Sequence, residues 1–210
     1  MRNLRIAFDL DDVIVNTAQP TVDAYRRVYG EFDSYGNQIG LSACYTNDPA
    51  LWGLDDMAEA SRRIYGLYLS EKSVYDAAPS VEAKAVIGRL ADQHTLYVIT
   101  GRSASMQAIT DTLISNHFKG MFRDVVLTNH HLGTLSKSEV CKQLGIQVLV
   151  DDLPHHIVRA VEDVPSLEAI QFGAYPWSGD SLPIARVTRA SSWTEVEAAI
   201  ERIATEKGAV

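Results

Sequence analysis

From residue 81 onward the chain alternates short apolar runs of strand length with stretches of helical periodicity, and this alternation restricts its fold more than any other feature. Parallel strands cannot be joined by tight turns; each needs a crossover, usually a helix, which yields a parallel sheet covered by helices on both faces. Candidate strands are residues 5–8, 96–99, 125–127, 148–150 and 169–172, and candidate helices are 81–90, 105–117, 138–144 and 155–162. A final helix is marked from its start. In SSWTEVEAAIERIATEKG, Ser192 and Glu195 form a capping box, Val196, Ile200 and Ile203 share one face, and Gly208 follows the end. The expected fold class is α/β.

One interval breaks the pattern. Residues 17–80 hold no core strand but two helical patterns, TVDAYRRVYG and DDMAEASRRIYGLYL, separated by a loop containing Gly, Asn and Pro. The expected organisation is a core of residues 1–16 and 81–210 interrupted by a small helical insertion, 17–80. Tyr25, Tyr29, Tyr65 and Tyr68 lie at helical spacing and are expected to pack the insertion's own core. Trp52 is placed in a loop, where it is free to touch a ligand.

The acidic residues sit where such strands end. Asp9, Asp11 and Asp12 follow the first strand in LRIAFDLDDVIVNT, Thr100 follows the second in LYVITGR, and Asp151 and Asp152 follow the fourth in VLVDD. In an open parallel sheet ligands bind beyond the carboxyl ends of the strands, at the point where strand order reverses. If the second and third strands extend the sheet to one side of the first and the fourth pairs on its other side, that point lies between Asp9 and Asp152. Like charges about 4 Å apart repel by roughly 4 kcal/mol at an effective dielectric of 20, so a positive group belongs among them. Hard carboxylate oxygens without nearby Cys or His favour Mg²⁺. Lys137, at a helix start in LSKSEV, supplies a second positive charge. Together these groups describe a phosphoryl-transfer site.

Composition excludes several classes. A net charge of -8 argues against a protein that tracks nucleic-acid polymers. Two distant cysteines, Cys44 and Cys141, make neither a disulfide framework nor a zinc site. The N-terminal apolar run, broken by Arg5, reads as neither a signal peptide nor a membrane span, and a cytoplasmic location is expected.

DLDDV, VITGR, the isolated Lys137 and VLVDD resemble, in order and spacing, the four motifs of the haloacid dehalogenase-like superfamily. The resemblance implies a Rossmann-like core with a C1-type cap in place of the insertion. It implies Asp9 as the nucleophile that forms an aspartyl-phosphate, and Asp11 as the acid that protonates the leaving oxygen and then activates water. Thr100 and Gly101 would meet the phosphoryl group, and Lys137 would steady Asp9. Mg²⁺ would be held by Asp9, the main-chain carbonyl of Asp11, and Asp152, with Asp151 as a further partner. Position 12 is Asp where many members have Gly, adding charge near the metal, although as a strand-end turn former Asp12 needs no catalytic role.

An acid two residues after the nucleophile favours phosphate esters over halides, whose leaving group needs no proton. The C-terminal segments KSEVCKQLGIQVLVDDLPHHI and FGAYPWSGD are similar to the 5'-nucleotidase and 5'(3')-deoxyribonucleotidase branch, which implies a nucleoside monophosphate with Trp52 against the base. The alternatives are a sugar-phosphate phosphatase or phosphomutase, and a non-catalytic phosphate or nucleotide binder. Two readings stand for Arg102: substrate contact or surface pairing. The pairs His130–His131 and His155–His156 are read as solvated. A calcium-loop reading of DLDDVIVNTAQP fails at Ile14 and Pro20, which stand where that loop needs Gly and Glu.

Overall fold

The computed structural model describes residues 3–129, 135–179 and 182–208; His130 and His131 lie outside them. Six parallel strands form one sheet: β1 (Arg5–Phe8), β2 (Thr95–Thr100), β3 (Phe122–Leu127), β4 (Val148–Asp151), β5 (Glu168–Phe172) and β6 (Val187–Ala190). Their order is β3-β2-β1-β4-β5-β6, so the chain reverses direction across the sheet between β1 and β4. The switch point falls where the placement of the acidic pairs predicts it. β6 is the strand that sequence periodicity does not reveal, because VTRA is a half-buried edge strand with no apolar run.

Alternation along the central strands builds two cores. Ile6, Phe8, Leu96, Val98, Val148, Val150 and Ile170 face one side, where they meet α4 (Val81–Ala91), α5 (Gln107–Phe118) and α8 (Trp193–Gly208). Ala7, Tyr97, Ile99, Leu149 and Ala169 face the other, against α6 (Lys137–Leu144) and α7 (Pro154–Asp163). Central strands buried on both faces therefore read as continuous apolar runs. α8 starts as expected, with the Glu195 N–H donating to Ser192 Oγ, but Glu195 reaches back to the N–H of Ser191 rather than that of Ser192.

The insertion between β1 and α4 holds α1 (Ala18–Tyr29), two short 3₁₀ turns (Leu41–Ala43 and Pro49–Trp52), α2 (Met57–Ser70) and α3 (Lys72–Tyr75). It has its own apolar cluster, centred on Val22, Tyr25, Ile39, Trp52, Leu67 and Val74. Of the four tyrosines expected there only Tyr25 is fully buried. Tyr29 is exposed, while Tyr65 turns its hydroxyl outward to Ser103 and Ser105 of the core. No helix among the described residues is long and apolar enough to cross a membrane.

Candidate active site

The ends of β1 and β4 and the start of α6 bring four charged side chains together. Asp9, directly after β1, is held in place because its N–H continues the ladder to the carbonyl of Val150. Lys137 opens α6, whose N-terminus is secured by a capping box between Ser136 and Glu139. Its Nζ lies 2.8 Å from Asp9 Oδ2 and 2.6 Å from Asp151 Oδ2, at 3% side-chain exposure. Asp152 completes the group, and Asp9, Asp151 and Asp152 each offer an oxygen within 4.8 Å of the others.

Burial governs how these groups hold protons. Removal from water raises Asp9 to about 6, against the pull of Lys137 and with a further push from Asp151. Asp152 is raised well above the usual carboxylate range by burial and by the charges of Asp151 and Asp9. Burial also pushes Asp151 upward, yet Lys137 and His156 outweigh it and hold that carboxyl low. Lys137, despite the cost of burial, is held above its usual range by Asp151 and Asp9. One ammonium thus faces two carboxylates, and Asp152 beside them has no ammonium partner among the described residues. The donor set is all hard oxygen, carries excess negative charge, and fits Mg²⁺.

The hydrogen bonds sort the candidate ligands. Asp151 accepts from Lys137 on Oδ2 and from the Leu153 N–H on Oδ1, with His156 Nδ1 3.3 Å from Oδ1. Asp152 accepts from the indole N–H of Trp177 on Oδ2 at 2.6 Å. Asp151 is therefore the more fully engaged of the two.

Arg102 is buried and pairs with Asp11, which is partly buried. The guanidinium donates to both oxygens of Asp11, Nε to Oδ2 at 2.9 Å and Nη2 to Oδ1 at 2.7 Å, and also to Thr110 Oγ1. This corrects the surface-pairing reading of Arg102, which is 5% exposed. Thr100 is fully buried at the end of β2, its hydroxyl oxygen accepting the Arg102 N–H at 3.3 Å, with Gly101 between them.

The expectation for Trp52 changes, and that for Asp12 stands. Trp52 ends a 3₁₀ turn and is 3% exposed, packed on Tyr25 at 4.7 Å between ring centroids while its carbonyl accepts the Tyr25 hydroxyl. It is a core residue of the insertion rather than an exposed loop residue, because a large ring near an amphipathic helix gains more from burial than from solvent. Asp12 is 1% exposed in the left-handed region, φ 59°, which Asp tolerates better than most residues. Its Oδ1 accepts the N–H groups of Thr17 and Ala18 at the start of α1, and its Oδ2 accepts the Tyr45 hydroxyl. The turn-forming role holds, and both oxygens are spent on structure.

Sequence reading missed Tyr45, Tyr175, Trp177 and His156 as neighbours of the site. For His156 the signal was present: it follows the strand-end acidic pair in VLVDDLPHHI, so one helical turn carries it back to Asp151. Gly173 supports Tyr175. At φ 83°, its missing Cβ would lie 2.4 Å from Tyr175 Cε2. Gly173→Ala is expected to cost about 1–3 kcal/mol, read as a lowered midpoint in thermal unfolding; an unchanged midpoint would show that both the left-handed backbone and the ring adjust without cost.

No protein-family model matches the chain, and no curated protein sequence does. Solved structures do. The chain is similar to L-2-haloacid dehalogenase from Xanthobacter autotrophicus (TM-score 0.60, 14% identity, 95% of this chain and 99% of that one). It is similar to a predicted phosphoglycolate phosphatase from Haemophilus somnus (TM-score 0.60, 15% identity, 94% and 98%). YfnB from Bacillus subtilis, described as a HAD-type hydrolase and bound to magnesium, matches with TM-score 0.58 and 14% identity over 95% and 99%. The chain has the α/β fold of haloacid dehalogenase-like hydrolases.

Proposed function

We propose that the protein is a Mg²⁺-dependent phosphatase acting on a small phosphate monoester through an aspartyl-phosphate on Asp9. The observation that supports this most directly is the buried group of Asp9, Lys137, Asp151 and Asp152 at the switch point, with Asp11 two residues from Asp9. Asp9, Asp152, the Asp11 carbonyl and, more remotely, Asp151 would hold the cation. Bound there, Mg²⁺ offsets the charge of the carboxylates and of a phosphate dianion.

The chain's own groups carry the reaction. An Asp9 oxygen forms a bond to phosphorus as the ester P–O bond breaks, and Asp11 gives its proton to the departing oxygen. Asp11 then takes a proton from water, whose oxygen bonds to phosphorus as the Asp9–P bond breaks, releasing phosphate and restoring Asp9. Lys137 keeps Asp9 oriented, and the Thr100 hydroxyl and Gly101 meet the non-reacting oxygens. Delivery of a proton by Asp11 requires at least one of its bonds to Arg102 to break, which frees guanidinium donors for an anionic substrate. The insertion serves as a C1-type cap that closes the site.

A nucleoside monophosphate is the proposed substrate class. Tyr45, 46% exposed with its hydroxyl on Asp12, takes the place proposed for Trp52 as the ring available to a base. The test is phosphate release from nucleoside monophosphates, sugar phosphates and an aryl phosphate, with and without Mg²⁺. Mg²⁺-dependent release that prefers nucleotides supports the reading in full. Release from sugar phosphates alone discards the substrate, a phosphate ester formed at a new carbon marks a mutase, and binding without release points to a non-catalytic binder.

Cation and protons compete for the same oxygens. Because Asp9 is raised to about 6 and Asp152 is raised well above the usual carboxylate range by burial, lowering the pH protonates them and weakens metal binding. Each proton displaced costs about tenfold in apparent affinity per pH unit below the carboxyl pKa. The rise in unfolding midpoint produced by Mg²⁺ is therefore expected to be larger at pH 7.5 than at pH 5. An equal rise at both would place the ion elsewhere.

A further inference from the structure

We propose that Trp177 is a positioning residue for the cation site and that Tyr45 ties it to the insertion, so that cation binding and the seating of the insertion are coupled. This rests on the Mg²⁺ reading above. Its basis is an aromatic column that no catalytic role requires. The Trp177 indole N–H donates to Asp152 Oδ2 at 2.6 Å. Its ring stacks on Tyr175, with centroids 4.6 Å apart and planes 6° from parallel, and packs against Tyr45 at 4.7 Å and 53°. Both tyrosines are anchored on one residue: the Tyr45 hydroxyl donates to Asp12 Oδ2 at 2.7 Å and the Tyr175 hydroxyl to the Asp12 carbonyl at 2.8 Å.

The column crosses a boundary. Tyr45 belongs to the insertion, whereas Tyr175 and Trp177 follow β5 in the core, and Trp177 also packs on the insertion's apolar cluster. One indole is thus bonded to a cation-site carboxylate and wedged against the insertion.

That placement has a physical consequence. An isolated carboxylate rotates about its Cβ–Cγ bond, and a donor fixed on one oxygen sets the plane in which the other is presented. Indole has a donor and no acceptor, so Trp177 cannot itself ligate a cation and acts only through Asp152. Its orientation depends on the rings either side, and one of those rings travels with the insertion. Coupling of this kind is reciprocal: if the seated insertion strengthens cation binding, the cation strengthens seating by the same factor.

Two variants separate the elements of the column. Trp177→Phe keeps an aromatic ring and removes the N–H; Tyr45→Ala removes the wall supplied by the insertion and leaves the indole. Mg²⁺ affinity is measured by titration calorimetry at pH 7.5 on the purified protein and both variants, with amide hydrogen exchange across residues 39–48 followed with and without Mg²⁺. Trp177→Phe is expected to bind Mg²⁺ about 10–100-fold more weakly. Tyr45→Ala is expected to bind it several-fold more weakly. In the unmodified chain Mg²⁺ slows exchange across residues 39–48, and in Trp177→Phe it does not.

A merely structural role for Trp177 would lower stability without uncoupling exchange from the cation. Should Trp177→Phe fail to fold, Tyr45→Ala carries the test, since Tyr45 is half exposed. Unchanged Mg²⁺ affinity in a folded Trp177→Phe, or in Tyr45→Ala when it alone folds, overturns the proposal and leaves the Mg²⁺ reading intact. Absence of Mg²⁺ binding by the unmodified chain overturns both.

Discussion

Asp9→Asn is expected to abolish phosphate release, by at least about 10⁴-fold, while leaving the protein folded. The amide keeps the size of the carboxylate and cannot form the proposed ester bond to phosphorus. Lys137 retains Asp151 as a partner at 2.6 Å, so the variant leaves no unpaired ammonium. The same change has a second signature. Asp9 has a folded pKa of about 6 against an ordinary 3.8, so between these values the folded state holds more protons than the unfolded one and this group's stability contribution falls as pH rises. A neutral side chain removes that penalty. At pH 7.5 without metal, the thermal midpoint of Asp9→Asn should therefore equal or exceed that of the parent, and Mg²⁺ should raise it less. Residual turnover within tenfold of the parent would remove Asp9 as nucleophile. Lost turnover accompanied by a collapsed midpoint would mean that the residue acts through folding.

Lys137→Met is expected to be the most destabilising single change at the site. It withdraws the positive group that faces Asp9 and Asp151 at 2.8 and 2.6 Å, leaving the buried carboxylates to repel one another. Breaking a buried ion pair by removing one partner costs about 3–5 kcal/mol. In a chain of this size that lowers the midpoint by roughly 10 °C. The dependence on pH identifies the cause. Without Lys137 the carboxylates resist ionisation more strongly, so acid, which protonates them, relieves the repulsion. The deficit relative to the parent should be large at pH 7.5 and shrink toward pH 5, and Mg²⁺ should restore part of it at the higher pH. A deficit equal at both pH values would assign the loss to packing of the aliphatic stem.

The core strands were legible because burial on both faces leaves little freedom: RIAF, LYVIT, VLV and AIQF are predominantly apolar runs, and the first three end on Asp9, Thr100 and Asp151. β3 and β6 lie at the sheet edges, where one side faces solvent and the apolar signal weakens; the apolar run marks only residues 125–127 of β3 and none of β6. The insertion's helices were legible from their periodicity, but the partners of their aromatics were not. Periodicity marks a face as apolar or aromatic and says nothing about what covers it, so Trp52 and Tyr45 were indistinguishable until one lay inside the insertion and the other over Asp12.

What the sequence determined by itself was the order of elements and the residue types at the strand ends, since hydrophobic period and short-range chemistry are local properties. The tertiary structure alone decided which distant groups meet. Arg102 closes on Asp11 across 91 positions, Trp177 on Asp152 across 25, and Tyr175 on Asp12 across 163. Such pairs leave no periodic trace in the chain, because their distances are set by how strands order in the sheet and how the insertion seats, and both follow from burying all the apolar faces at once.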